Sequence, residues 1–102
     1  MDIERINEIC QKGSVKWTKH CLERMQERSI LIEDVKNCIT KGEIIEEYPD
    51  DFPNPSALIY GKTVNENVIH VVCGMNSDTV FVITAYYPNE ETFEADLKTR
   101  RD

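Results

Sequence analysis

At Gly42 the apolar residues of this chain change their spacing, and that change decides the class of fold. Before it, Ile3, Ile6, Ile9 and Cys10, then Cys21, Leu22 and Met25, then Ile32, Val35, Cys38 and Ile39 recur every three or four residues, as on helices with one buried face. After it come short runs rich in β-branched and aromatic residues, broken by turn residues. The pattern predicts helices over 2–11, about Lys19–Arg28 and Ile30–Lys41, and strands over Glu43–Tyr48, Ser56–Val64, Asn67–Met75 and Thr79–Tyr87. Gly13 and Gly42 stand just past helix ends, and Thr18 is placed to cap the second helix. Leu31 stands where the third helix should have a polar cap, so Ser29 or a backbone turn must serve. Ser14–Trp17 reads as short and extended, and Thr92–Lys98 as a last helical turn. Pro49, Pro53 and Pro55 mark a loop that cannot join a sheet interior. The short turns at Asn65-Glu66 and Asn76-Ser77-Asp78 force antiparallel neighbours. The expected fold is α+β: two to three N-terminal helices packed on one face of a four-stranded antiparallel sheet, in a single domain over 1–102.

No apolar run is long enough to span a membrane, and MDIERINEIC mixes acids into its apolar residues, unlike a secretory signal; the expected location is the cytoplasm. Cys10, Cys21, Cys38 and Cys73 have aliphatic neighbours and no CxxC spacing, which favours reduced thiols over a metal knuckle. The net charge of −7 argues against a general nucleic-acid coat protein. Its distribution is uneven: Lys12, Lys16, Lys19, Arg24 and Arg28 face only Glu23 and Glu27 in their stretch, whereas Glu43–Asp51 contains no base. A basic patch survives a negative total, because charges beyond a Debye length of about 8 Å are screened.

In WTKHCLERMQERSI, His20, Arg24 and Arg28 recur at a spacing of four and therefore stack along one edge of the second helix. That edge borders the arc of Trp17, Cys21, Leu22 and Met25, so the stripe is half sheltered. Two arginines a turn apart suit bidentate clamping of a phosphate, and a histidine beside them suits general acid or base work. The plain alternative is an ordinary amphipathic edge whose arginines pair with Glu23, Glu27 or the acids near Glu46. In the strands, His70, Thr84, Tyr86 and Tyr87 are the polar candidates, with packing as the alternative for each. A three-residue loop at 76–78 would set His70 opposite Thr84, with Tyr86 on the same face, and the cluster would look towards the helix-two stripe. Such a set suits metal-independent RNA cleavage, with His20, Arg24, Arg28, His70 and Tyr86 as catalytic candidates and Lys19 and Thr84 as substrate contacts. GxxxxGK, GxSxG, HExxH and the dinucleotide fingerprint are all missing; no cofactor and no metal site is expected.

Taken together, WTKHCLERMQERSI, GEIIEEYPDDFPNPSALIYGK, VIHVVCG and VFVITAYYPNEETFEADLKTRR resemble the family catalogued as domain of unknown function 4258, over about Trp17–Arg101. That family is thought to be related to the RelE/ParE-like toxins, including the BrnT-like branch. The resemblance implies helices on an antiparallel sheet, a toxin-type endoribonuclease, RNA as substrate and a cognate antitoxin as partner. It carries His20, Arg24, Arg28, His70, Thr84 and Tyr86 as motif positions. Ser29 departs from the motif, which commonly has Gly there, and the acidic total departs from the usual basic character of such toxins. The competing expectation is a non-catalytic binding module that joins a basic partner through its sheet edge or acidic segment; self-association is left open.

Overall fold

A computed structural model describes residues 1–102. In chain order it comprises α1 (Ile3–Gln11), β1 (Val15–Trp17), α2 (Lys19–Glu27), α3 (Ile32–Lys41), β2 (Glu43–Tyr48), β3 (Ser56–Lys62), β4 (Val68–Met75) and β5 (Val80–Tyr86). The class is α+β with three helices, as the spacing predicts, but the sheet has five strands in the order β1-β5-β4-β3-β2. The expected four-stranded antiparallel sheet is corrected by one strand. The extended segment before α2 joins the edge parallel to β5, pairing Val15 with Val80 and Trp17 with Val82. A parallel pair needs a long crossover, and the whole helical and meander portion supplies it, so no local pattern announces the pairing.

The helix starts follow from local chemistry. Asp2 accepts the Glu4 N–H at 2.9 Å, and Thr18 Oγ1 accepts the Cys21 N–H at 3.0 Å. The weak cap of α3 is repaired from inside the helix: Asp34 Oδ2 accepts the Leu31 N–H at 2.9 Å, and its Oδ1 accepts Val64 N–H at 2.9 Å. One buried carboxylate thus caps α3 and ties it to the β3–β4 turn. Ser29 takes φ +57 at the end of α2, with Ile30 N–H bonded back to the Met25 carbonyl at 2.8 Å. That is the conformation for which glycine is the least strained residue.

Ile6, Ile9, Cys21, Met25, Val35, Cys38 and Ile39 of the helices form one core with Ile59, Ile69, Val71, Cys73, Val80, Val82 and Ala85 of the sheet. At Gly61 a Cβ would lie 2.7 Å from both the carbonyl oxygen and the Sγ of Cys38, so glycine lets α3 sit directly on β3. Because side chains alternate along a strand, His70 and Val72 point away from the helices that Ile69 and Val71 meet. Something else has to cover that second face. It is the segment after β5, which forms no helical turn at 92–98 but folds through tight turns with a single bridge between Phe93 and Arg100. Phe93 is its one buried side chain.

Candidate functional sites at the α2 edge and beneath the C-terminal segment

The structure divides the residues singled out in the sequence between two places. On α2, Lys19 and His20 are exposed, Arg24 is half-buried and Arg28 caps the helix C-terminus. Lys19 lies 3.8 Å from Glu23, and Arg24 Nη1 pairs with Glu27 at 2.6 Å. His20 has no hydrogen-bond partner within the chain. Arg28 reaches off the helix: its Nη1 donates to the Ala85 carbonyl at 2.8 Å and lies 3.4 Å from Thr84 Oγ1. This is the stretch of β5 beyond its pairing with β1, where the strand edge is free. None of the α2 cations meets the acids near Glu46.

The second place is the helix-free face. Strand pairing aligns Glu43 of β2, Tyr60 of β3, His70 of β4 and Tyr86 of β5 in one row. The next row holds Glu46, Leu58, Val72 and Thr84. His70 therefore stands opposite Tyr86 rather than Thr84. The turn is one residue longer than expected, and a bulge between Val72 and Cys73 on one side and Val82 and Thr84 on the other restores the parity. His70, Thr84 and Tyr86 do share a face, but it is not the face towards the α2 stripe. The expected junction of His70 and Tyr86 with His20 and Arg24 is corrected: the sheet lies between them. Only Arg28, at the edge, touches both sides through Thr84. Tyr87 is exposed beyond the strand end.

His70 is fully buried and both its ring nitrogens are engaged. Nε2 lies 2.7 Å from the Leu97 carbonyl, which can only accept, so Nε2 carries the proton. Nδ1 is then the acceptor for the Tyr86 hydroxyl at 3.1 Å. Phe93 closes over the ring edge-on, with centroids 4.6 Å apart. Burial holds the imidazole below its usual value of 6.5, against the raising effects of the Leu97 carbonyl and Glu46. Burial also raises the Tyr86 phenol.

Around this pin is a polar rim that the sequence did not reveal as a unit. Arg100 donates to Glu46 through Nε at 3.2 Å and Nη2 at 3.0 Å, and stacks 4.8 Å over the Phe93 ring. That guanidinium holds the Glu46 carboxyl below the usual carboxylate range. Tyr48 donates to Glu46, and burial first, then that carboxylate, push its phenol up to about 12. Lys98 pairs with Glu43 and lies 4.6 Å over the Tyr60 ring. The signal that points to this cover was present: β4 is apolar at both parities and so demands burial on both faces, and Phe93 is the lone aromatic of a polar tail.

The four cysteines are free thiols, and burial pushes those of Cys38 and Cys73 up to about 12. No three His, Cys, Asp or Glu side chains converge as a metal cage would require. No helix is long and apolar enough to cross a membrane.

Residues 17–87 match the family described as Domain of unknown function (DUF4258). No curated protein matches the chain, and no solved structure does. The match takes in α2 and the row Glu43, Tyr60, His70 and Tyr86, and it ends where the C-terminal cover begins.

Proposed function

The chain belongs to the family of domain of unknown function 4258, and from that premise we propose that it is a toxin-like, metal-independent endoribonuclease working at the α2 edge. The observation that carries the reading is that Arg28 is anchored on the free edge of β5 while His20, two turns away on the same helix edge, is exposed and unpaired. Arg24 and Arg28 bind the non-bridging oxygens of one phosphodiester and stabilise the charge that grows there, and Lys19, exposed at the start of the helix, contacts the substrate further along its backbone. His20 takes the proton of the ribose 2′-hydroxyl. The 2′-oxygen attacks phosphorus, the bond from phosphorus to the 5′-oxygen breaks, and solvent protonates the departing oxygen. The products are a 2′,3′-cyclic phosphate and a free 5′-hydroxyl. Likeness to the RelE/ParE-type toxins, a cognate antitoxin and action in the cytoplasm belong to the same proposal. Purified full-length protein should cleave RNA in the presence of a chelator, and His20→Ala and Arg24→Ala should each slow cleavage by roughly a hundredfold or more. Cleavage that survives both substitutions unchanged would remove the α2 edge from the reaction.

The burial of His70 favours a second reading, a non-catalytic binding module. The C-terminal segment leaves neither nitrogen of His70 free, and its cations sit on Glu43 and Glu46 of the acidic stretch. This reading expects no RNase activity and no growth defect on induced expression.

A further inference from the structure

The segment that covers His70 is built as an occupant more than as a wall. Its backbone hydrogen bonds close on itself: Phe93 N–H to Asn89, Leu97 N–H to Glu94, Glu94 N–H to Thr99, and Arg101 N–H to Thr92. Asn89 and Asp96 cap its turns with their side chains. No backbone–backbone hydrogen bond joins it to the sheet. Its hold on the sheet is made by side chains and one carbonyl: the Phe93 ring, the Leu97 carbonyl on His70, the ion pairs Lys98–Glu43 and Arg100–Glu46, and the Lys98 ammonium over the Tyr60 ring. Leu97, whose carbonyl makes the central contact, sits at φ +59, a conformation a leucine adopts only under constraint. The segment can therefore leave as a unit without opening any strand pair.

What it fills has the properties of a peptide groove. The polar group at its floor, His70 Nε2–H, recognises a main-chain carbonyl, which every peptide offers. An aromatic slot lies above that ring, and two carboxylates at one side each hold a cation. Further along the same strands lies a cleft of about 320 Å³ lined by Phe52, Phe81, Ile83 and Gly74 together with Asp51 and Asn54, with Phe52 96% exposed.

We infer that the helix-free face of the sheet is a binding groove for a peptide segment of a partner protein, one carrying an aromatic anchor followed a few residues later by Lys or Arg, and that the C-terminal segment occupies it in cis until displaced. The inference deepens the binding-module reading and rests on it, and it is independent of RNA cleavage at the α2 edge. A tethered occupant competes at a high effective concentration, so the closed chain binds weakly in trans, and weakening the tether restores affinity in proportion to the open fraction.

The test uses the full chain and a labelled peptide of residues 88–102 as probe. Phe93→Ala, and separately the pair Lys98→Glu with Arg100→Glu, are compared with the unsubstituted chain by fluorescence anisotropy and by NMR titration of the His70 ring. Each variant should bind the peptide about tenfold or more tighter than the unsubstituted chain does, following the larger open fraction. A peptide bearing Phe93→Ala and Arg100→Glu should lose that binding, and the His70 ring should become titratable from solvent. Equal binding of the two peptides, or a His70 ring that stays shielded in both variants, would overturn the inference. So would loss of the cooperative melt in both, since the segment would then be part of the core. If the groove fails while a partner still binds elsewhere, the module reading stands without it.

Discussion

The two histidines occupy opposite circumstances. His20 lies on an exposed helix edge beside Arg24 and Arg28, with no partner inside the chain. His70 is sealed under Phe93, with a carbonyl on one nitrogen and a phenol on the other. A side chain that works as an acid or base must be reachable and must have a lone pair to offer, which only His20 has here. His70 instead acts as a pin: at the centre of a sheet face of mixed polar and apolar residues, it makes a specific seat for one carbonyl. The difference teaches that a polar residue in a strand core is first a geometric specification, and a reactive group only if its partners can leave.

Exchanging each histidine for alanine is the most forceful way to break this comparison. His70→Ala orphans the Leu97 carbonyl and the Tyr86 hydroxyl and leaves a hole beneath Phe93, so it should cost about 3 kcal/mol of unfolding free energy. His20→Ala removes nothing buried and should stay within about 0.5 kcal/mol. Urea denaturation of the two variants beside the unsubstituted chain measures both. Equal losses would dissolve the distinction.

Acidification should sharpen it with a smaller effect. An unfolded histidine takes up its proton as pH falls through about 6.5, whereas burial keeps His70 neutral to lower pH. Between those values the unfolded state binds more protons, so stability declines as pH drops. The contribution of His70 is complete above about 6.5 and is lost as pH falls through the lower folded value. Of the groups facing it, burial raises the Tyr86 phenol still further above this window, and Arg100 stays charged. Glu46, held low by Arg100, loses its contribution only at more acidic pH. Thermal melts from pH 7.5 to 5 should fall more steeply for the unsubstituted chain than for His70→Gln, which cannot charge; parallel curves would contradict the assignment.

How much of this was legible depended on how local the cause was. Thr18 as cap, Gly13 as stop and the limits of β2 follow from neighbours within a turn or two, and the structure keeps them. The parallel pairing of β1 is set by Val80 and Val82, more than sixty residues away in the chain, and leaves no mark near Val15. The face of His70 was undecidable because β4 is apolar at both parities, and either face could have received the helices. Asp34 escaped notice as a cap because it lies inside the helix it caps. The C-terminal segment read as a helical turn because Thr92 is a possible helix cap; its fold comes instead from Asx turns and from Phe93 finding a slot that only the finished sheet provides.

The smallest expected effect compares one backbone position from each region. Ser29 at the α2 edge and Leu97 over His70 both hold positive φ without being glycine, at +57 and +59. Glycine at either removes a left-handed penalty of roughly 1 kcal/mol, partly offset by the greater freedom it gives the unfolded chain. At Ser29 the side chain is exposed, so little else changes, and Ser29→Gly should stabilise by about 0.5 kcal/mol. At Leu97 the leucine is half-buried, and losing its contact offsets the relief, so Leu97→Gly should leave stability near its starting value. Paired melts resolve the two. If Leu97→Gly gained as much as Ser29→Gly, the leucine side chain would contribute nothing to the seat, and Phe93 with its neighbouring cations would hold the segment alone.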